Sequence, residues 1–288
     1  MLICEKSDKI DYNRVWQEAR ARNLVPGGRS ECADLWSDSK SAEHYDRNVK
    51  KNRRARALAV LERLKLRKGD RVLDVGAGPG TYAIPMAGRV DHVTAVEPSP
   101  GMADVLEKNV AEAGIGNIST LRKKWEDVTP EDLGRHYDVV LASLSLGMPD
   151  VRSALLKMDR FCCGRVYVIW PAGVTAWEKY YLEAWPLLHG VDYCPGPKAD
   201  VLFNILYQEG ICPDVEIYRE DYEETFSSIV EATDYLKNLY QAIGSEKEAI
   251  LMKYLGHKLD RGPEGLALRG VSPMALLSWD VMINRVQR

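Results

Sequence analysis

The stretch Arg71-Val-Leu-Asp-Val-Gly-Ala-Gly-Pro-Gly-Thr81 decides how the rest of the chain is read. Its first five residues, Arg71–Val75, form a short apolar run that stops at glycine, the pattern of a strand buried on both faces. Gly76-Ala77-Gly78-Pro79-Gly80 follows, and a helical pattern runs from Thr81 to Gly88. Such a strand, glycine turn and helix aim backbone N–H groups and a helix N-terminus across the loop. Glycine also lets a ligand approach closely, because no Cβ stands in the way. Pro85 falls near the first turn of the helix, where proline costs little.

Outward from this unit the same alternation repeats. Apolar runs at His92–Val96, Ile118–Leu121, Tyr137–Ala142 and Arg165–Ile169 are separated by helical stretches at Ser99–Ala113, Asp150–Phe161 and Ala176–His189. Strand alternating with helix predicts a parallel sheet covered on both faces, joined by right-handed crossovers. After Pro195–Pro197 come a helix at Ala199–Glu209, a sixth strand at Val215–Tyr218 and a last strand at Met274–Val281. Ser228–Glu231 and Ser245–Glu248 carry capping-box spacing and open helices at 229–243 and 246–259. Upstream, Asp11–Asn23 is an amphipathic candidate broken by the Pro26-Gly27-Gly28 turn. A second helix runs from Ser41 toward Leu66, with Leu58, Leu61 and Leu64 on one face. The predicted fold class is α/β, a doubly wound and mostly parallel seven-stranded sheet with helices on both faces. It divides into an N-terminal helical cap (1–68), a Rossmann-like core (69–225), a helical insertion (226–263) and a last strand completing the core (264–288).

Composition narrows the function classes. The 288 residues carry 39 basic and 42 acidic side chains, and a net charge of −3 argues against a dedicated nucleic-acid coat. The six cysteines (4, 32, 162, 163, 194 and 212) form no Cys-x-x-Cys pair and read as free thiols in a reducing cytosol. The five histidines are scattered without ligand spacing, so no metal site is expected. His136 and His189 are the histidines weighed as general bases, and neither is marked by a neighbouring partner. The N-terminus turns charged after four residues and no apolar run reaches membrane-spanning length, so a cytoplasmic, membrane-free protein is expected. Lys50-Lys51-Asn52-Arg53-Arg54-Ala55-Arg56 holds five cations in seven positions, which reads as a solvated helix face before an anion site.

Glu97 closes the second strand, 21 residues beyond Gly76. A doubly wound fold places there the carboxylate that accepts both hydroxyls of an adenosine ribose. The loop departs from the dinucleotide pattern, since its third glycine is Gly80 and position 81 is Thr. Asp74 adds negative charge beside it, awkward for a pyrophosphate and suited to an ammonium or sulfonium.

At these residues the sequence resembles the class I S-adenosylmethionine-dependent methyltransferases, whose first motif is acid-x-Gly-x-Gly-x-Gly. Asp74, Gly76, Gly78 and Gly80 match it position for position, with Ala77 and Thr81 inside and just after it. The resemblance implies S-adenosyl-L-methionine as cofactor and Glu97 as the ribose acid. Pro98, Ser99 and Met102 would flank the adenine, and Lys124-Trp125-Glu126-Asp127 would offer Trp125 to stack and Glu126 or Asp127 to accept from the adenine amine. It further implies Ser143, within Ala142-Ser143-Leu144, beside the methionine end. Asp34–Arg47 is similar to the N-terminal helix that closes over this end in many small-molecule methyltransferases, with Tyr45 the candidate aromatic and Trp36 second.

The catalytic residues stay unassigned, because a sulfonium methyl needs no protein nucleophile and asks mainly for alignment. Ser143-Leu144-Ser145-Leu146 stands where amino-group methyltransferases of bases and glutamine carry Asn/Asp-Pro-Pro-aromatic, and no Pro-Cys motif appears. A small-molecule acceptor is therefore expected, with a protein side chain second and nucleic acid disfavoured. A non-catalytic S-adenosylmethionine-binding subunit and an NAD-dependent oxidoreductase are the remaining readings. Trp177, Tyr180, Tyr181, Trp185, Tyr193, Tyr235 and Tyr240 read as core or interface residues that could also line an apolar pocket.

Overall fold

In the computed structural model, which describes residues 10–24, 36, 39–134, 136–262 and 265–281 with the side chains of 52–56 excepted, one sheet organises the chain. Its strands are β1 (Arg71–Val75), β2 (His92–Val96), β3 (Ile118–Leu121), β4 (Tyr137–Ser143), β5 (Cys162–Pro171), β6 (Asp214–Phe226), β7 (Asp260–Gly262) and β8 (Gly265–Asp280). They lie in the order β3-β2-β1-β4-β5-β8-β6, with β7 paired to β8. The first five are parallel, and β8 runs antiparallel between β5 and β6. The chain builds outward from β1 through β2 to β3, then returns to lay β4 on the other side of β1. That reversal makes a crevice at the carboxyl ends of β1 and β4, where open α/β sheets bind ligands.

Helices cover both faces, as the both-side burial of β1 and β4 requires. On one face α1 (Tyr12–Leu24), α7 (Val151–Phe161) and α9 (Ala199–Gln208) bring Trp16, Leu155 and Ile205 onto Val75, Val140 and Val168. On the other, α3 (Arg54–Leu61), α4 (Ala83–Ala87) and α5 (Pro100–Glu112) bring Val60, Met86 and Leu106 onto Val72, Val93 and Leu141. Between the cap helices and the crevice lies α2 (Ser39–Asn48), and a short α6 (Pro130–Leu133) precedes β4. A third core joins α8 (Ala176–His189), α10 (Ile229–Leu239) and α11 (Ser245–Lys258) through Tyr181, Trp185, Leu236, Tyr240, Leu251 and Leu255.

Several expectations are corrected. The sheet has eight strands and not seven, because Asp260–Gly262 hairpins onto β8 with a polar sequence that carries no apolar signal. The sixth strand runs to Phe226 and the last begins at Gly265, so the two pair from Asp214↔Ser278 to Phe226↔Leu266. β6 is exposed from Asp214 to Ile217 and gains cover beyond Tyr218, where Tyr218, Glu220, Tyr222, Glu224 and Phe226 share one face and mix acidic with aromatic residues, so no apolar run marks the extension. The 41–66 helix ends at Leu61 and is interrupted by a π-helical turn at Val49–Arg53. Of the three leucines expected on one face, Leu61 is buried, Leu64 is buried beyond the helix end, and Leu58 is 39% exposed. The helix after the glycine loop is shorter than 81–88, starting at Ala83.

Capping also divides. Ser228 Oγ accepts from the Glu231 N–H at 3.1 Å, but the Glu231 carboxylate turns to the N–H and Oγ of Ser227. α11 is capped at Gly244, at φ +98°, without a side-chain bond, so Ser245 lies inside the helix. A reciprocal box forms instead at Thr175 and Glu178. Cys162, Cys163, Cys194 and Cys212 are free thiols, whereas Cys4, Cys32 and the Pro26-Gly27-Gly28 turn lie outside the described residues. Among the described residues no helix is long and apolar enough to cross a membrane.

Candidate active site

The three glycines of the loop answer three separate demands. All lie at positive φ: Gly76 at 74°, Gly78 at 57° and Gly80 at 93°. A Cβ at Gly76 would sit 2.2 Å from Ser145 Cβ, so this glycine lets the loop after β4 close against β1. A Cβ at Gly80 would meet Ile84 and Leu106 at 2.7 Å, which makes it the packing glycine between the loop and its helix. At Gly78 nothing stands within 4 Å, and this residue borders the crevice, where a ligand would lie against bare backbone.

The loop does not offer its amides to an anion. Gly76 and Ala77 both donate to Val96 O, at 2.8 and 3.0 Å, and Gly78 donates to Glu97 Oε2 at 2.8 Å. The expectation that N–H groups point across the loop therefore fails for these three, because β2 and its terminal carboxylate take them first. A pyrophosphate would find these three amides taken, whereas a cationic ligand would meet the Glu97 carboxylate on the wall, with the buried Asp74 carboxyl near it.

Asp74 is 1% exposed, accepts from the Ala83 N–H, and leaves Oδ2 without a hydrogen-bond partner among the described residues. Burial, and then the charge of Glu97, pushes its pKa up to about 7. Glu97 is also raised by burial, opposed by the Ser99 and Gly78 N–H groups that bond its two oxygens at 2.8 Å each. An orphaned carboxyl oxygen buried beside a second acid suits a group carrying fixed positive charge.

A cavity of about 510 Å³ extends from this crevice to the cap helices. Tyr45, Gly76, Gly78, Glu97, Pro98, Met102, Trp125, Glu126 and Ser143, all singled out in the sequence, line it. Glu126 borders it and Asp127 does not, which separates the two acids left open above. Asp74, Ala77, Gly80, Thr81 and Ser99 are not on its wall. Of these, Ser99 is buried and works as a brace, its N–H on Glu97 and its Oγ donating to Trp36 O at 2.6 Å. Trp36 and Tyr45 pack with centroids 5.1 Å apart against Met102, so the N-terminal helices reach the cavity wall through these two rings.

Trp125 departs from a simple stacking plane. It is 3% exposed, donates Nε1–H to Ala154 O at 3.1 Å, and meets Phe161 edge-on under the Lys157 ammonium. The ring is held in the core against α7 while forming part of the cavity wall. Trp125→Ala is thus expected to cost about 3–5 kcal/mol of stability, as large aromatic truncations in cores do, and urea unfolding measures it.

Other lining residues had no signal strong enough to be singled out. Leu144, just after β4, sits at φ +55°, a strained value for a non-glycine residue and one that clusters at binding sites. Tyr82 is not on the wall, but it bonds Ser143 and lies near Glu220, Tyr218 and Tyr45, and burial raises its hydroxyl pKa. The Glu220–Tyr222–Glu224 segment of β6 enters the cavity because the strand runs eight residues past its expected end at Tyr218. Trp177, Tyr181, Tyr193, Tyr235 and Tyr240 line the cap side, so the aromatic set is partly core and partly pocket. His136 is exposed, and His189 is held between Tyr240 O and Lys247 with its pKa lowered by burial, away from the cavity wall. In the basic run, Lys50 is tied to Asp46 and Asn109, and the side chains from Asn52 to Arg56 lie outside the described residues.

Comparison with known proteins agrees with this geometry. Residues 72–162 match the family model described as a methyltransferase domain. An uncharacterised protein of Haemophilus influenzae is 29% identical over 77% of this chain and 80% of its own length. A 23S rRNA (uracil(1939)-C(5))-methyltransferase of Klebsiella pneumoniae is 36% identical over 34% of this chain, and this chain spans only 24% of it. The solved YcgJ protein of Bacillus subtilis superposes with a TM-score of 0.54 at 15% identity, covering 78% of this chain and 98% of that one, a likeness of fold. Residues 72–162 thus form a methyltransferase domain, with the fold and glycine loop of the class I S-adenosylmethionine-dependent kind. Its cofactor is S-adenosylmethionine.

Proposed function

We propose that this protein transfers a methyl group by in-line displacement to a small-molecule acceptor held under the cap helices. The observation that supports this reading is the continuity of one cavity, from Gly78 and Glu97 at the strand ends to Trp177 and Tyr181 on α8 and Tyr240 just after α10. A concave chamber with Trp177, Tyr181, Tyr193, Tyr235 and Tyr240 on one side fits a compact organic molecule better than a polymer strand. When bound, S-adenosylmethionine supplies a methyl already activated on sulfonium. Glu97 would accept the ribose hydroxyls, Pro98 and Met102 would flank the adenine, and Glu126 would take its amine. Gly76, Ala77, Gly78, Gly80 and Thr81 would shape the loop, with Ser99 bracing Glu97 and Trp125 forming a wall. Ser143 and Tyr45 would border the methionine end, and Asp74 would balance its positive charge. In this division residues 1–68 and 226–263 cap a core built from 69–225 and 264–288.

The test follows from Asp74. With its native pKa near 7 and its unfolded value near 4, the apo native state holds the proton more tightly, so stability falls as pH rises across that window. A cationic ligand prefers the carboxylate. Its binding at pH 6 should release a proton, and affinity should climb toward pH 7 and level off above. Calorimetry with S-adenosylmethionine and S-adenosylhomocysteine, in two buffers of different ionisation enthalpy, measures both effects. Asp74→Asn should abolish the climb. Failure of both nucleosides to bind would remove the reading.

A further inference from the structure

We infer that Asn109 is a positioning residue for the cofactor, tying the glycine loop to the cap helix α2 that carries Tyr45; this rests on the cofactor reading above and adds a residue to that site. Asn109 is 5% exposed and stands on the buried face of α5 with Met102, Val105 and Leu106. A polar amide on an apolar stripe is costly unless its groups are bonded, and here each one is. Nδ2 donates to Asp46 Oδ1 at 2.8 Å and to Pro79 O at 3.1 Å, and Oδ1 accepts from Lys50 Nζ at 2.6 Å. The amide can be seated only one way, because the reverse would set its oxygen against a carboxylate and a carbonyl.

The two acceptors of Asn109 belong to separate segments that both reach the cavity. Pro79 lies between Gly78, on the cavity wall, and the packing glycine Gly80. Asp46 is buried and directly follows Tyr45, which lines the cavity. Lys50 Nζ completes the network by pairing with Asp46 Oδ2 at 2.8 Å, so amide, carboxylate and ammonium form a closed ring of contacts. Lys50 stands in the π-helical turn Val49–Arg53, a feature frequent at functional sites, and it turns the first cation of the basic run onto this ring. α2 is fixed to β6 as well, since Asn48 Oδ1 accepts from the Thr225 N–H and Oγ1 at 2.9 Å each.

Apolar contact alone would seat α2 poorly. The cluster joining it to α5 holds only Ala42, Met102 and Val105 as buried members, with Trp36 and Tyr45 packed against them. The directional bonds of Asn109 therefore set where along α5 the helix rests, and with it where the Tyr45 ring stands. The same amide holds the Pro79 carbonyl, one residue from Gly78. Loosening either arm gives a bound nucleoside a less organised site, which acts on release more than on entry.

Calorimetry with S-adenosylhomocysteine and an isotope chase of its release test this on the full chain, well below each variant's unfolding midpoint and with the folded fraction read by circular dichroism. Asn109→Ala should weaken binding about tenfold or more, mainly through faster release. Asp46→Ala should do the same, and the double variant should bind no more weakly than either single one, because both break one unit. A purely structural amide would lower the unfolding midpoint and leave the affinity of the folded protein unmoved. Lys50→Met changes a half-exposed side chain, so it should keep the fold and weaken binding about threefold. Affinity within about twofold of wild type in folded Asn109→Ala, or losses that multiply in the double variant, would overturn the assignment. Where Asn109→Ala does not fold, unchanged binding in Lys50→Met overturns it. Failure of the wild-type protein to bind S-adenosylhomocysteine would instead strike the cofactor reading beneath it, so the two failures are told apart.

Discussion

Glu97→Ala is expected to weaken S-adenosylmethionine and S-adenosylhomocysteine alike by about 10- to 100-fold, the scale of one or two charge-assisted hydrogen bonds. The loss has two sources. The ribose hydroxyls lose their acceptor, and the Gly78 and Ser99 N–H groups lose the oxygens that hold them 2.8 Å away. Stability should change less than affinity. A buried carboxylate whose pKa is raised by desolvation contributes little net stabilisation to the empty protein. Calorimetry beside urea unfolding separates the two quantities. Unchanged affinity in a folded Glu97→Ala protein would withdraw the ribose assignment.

Gly76→Ala should be severely damaging, and Gly78→Ala should be far milder. Both residues need positive φ, which costs a non-glycine residue about 1–2 kcal/mol. Only at Gly76 does the added carbon also fall 2.2 Å from Ser145 Cβ, deep inside contact distance. The β4 loop must then retreat, breaking the bond from Ser145 Oγ to Val75 O and displacing Leu144, already at φ +55°. We expect Gly76→Ala to lower stability by about 3 kcal/mol or more and to abolish cofactor binding. Gly78→Ala should lose only about 1–2 kcal/mol of stability but should still weaken the cofactor, whose space the methyl would enter. Equal behaviour of the two variants in thermal unfolding would contradict the division of labour among the glycines.

Legibility in the sequence followed local geometry. β1, β2 and β3 appear within their expected bounds because each is a short apolar run closed by a turn. The glycine loop and Glu97 were legible for the same reason, since strand, turn and acid occur at fixed offsets. The π-helical turn at Val49–Arg53 was not, because apolar periodicity cannot report a slip of one backbone hydrogen bond. Nor was the Gly76–Ser145 contact, which joins residues 69 apart and leaves no periodic trace. The part of the cavity wall on β6 was hidden by its own chemistry. Glu220, Asp221, Glu223 and Glu224 make the segment look like a solvated connection, although every second residue from Tyr218 to Phe226 shares one face. Trp125 is a mixed case: its indole N–H is held by Ala154 O in the core while the residue also borders the cavity.

The β6–β8 ribbon has a consequence for how acceptor size is set. Its backbone ladder continues without interruption from Asp214↔Ser278, inside the sheet, to Phe226↔Leu266, where the cap helices begin. Roof and floor of the chamber are therefore joined by a beam of fixed length, and the headroom above the cofactor is measured in strand residues. Two more residues in each strand would keep every side chain on its present face and raise the roof by about 6.8 Å. One residue in each would turn Glu220, Tyr222 and Glu224 to the outside. Chamber height can thus change only in even steps, and an enzyme built this way would accommodate acceptors in discrete classes of length.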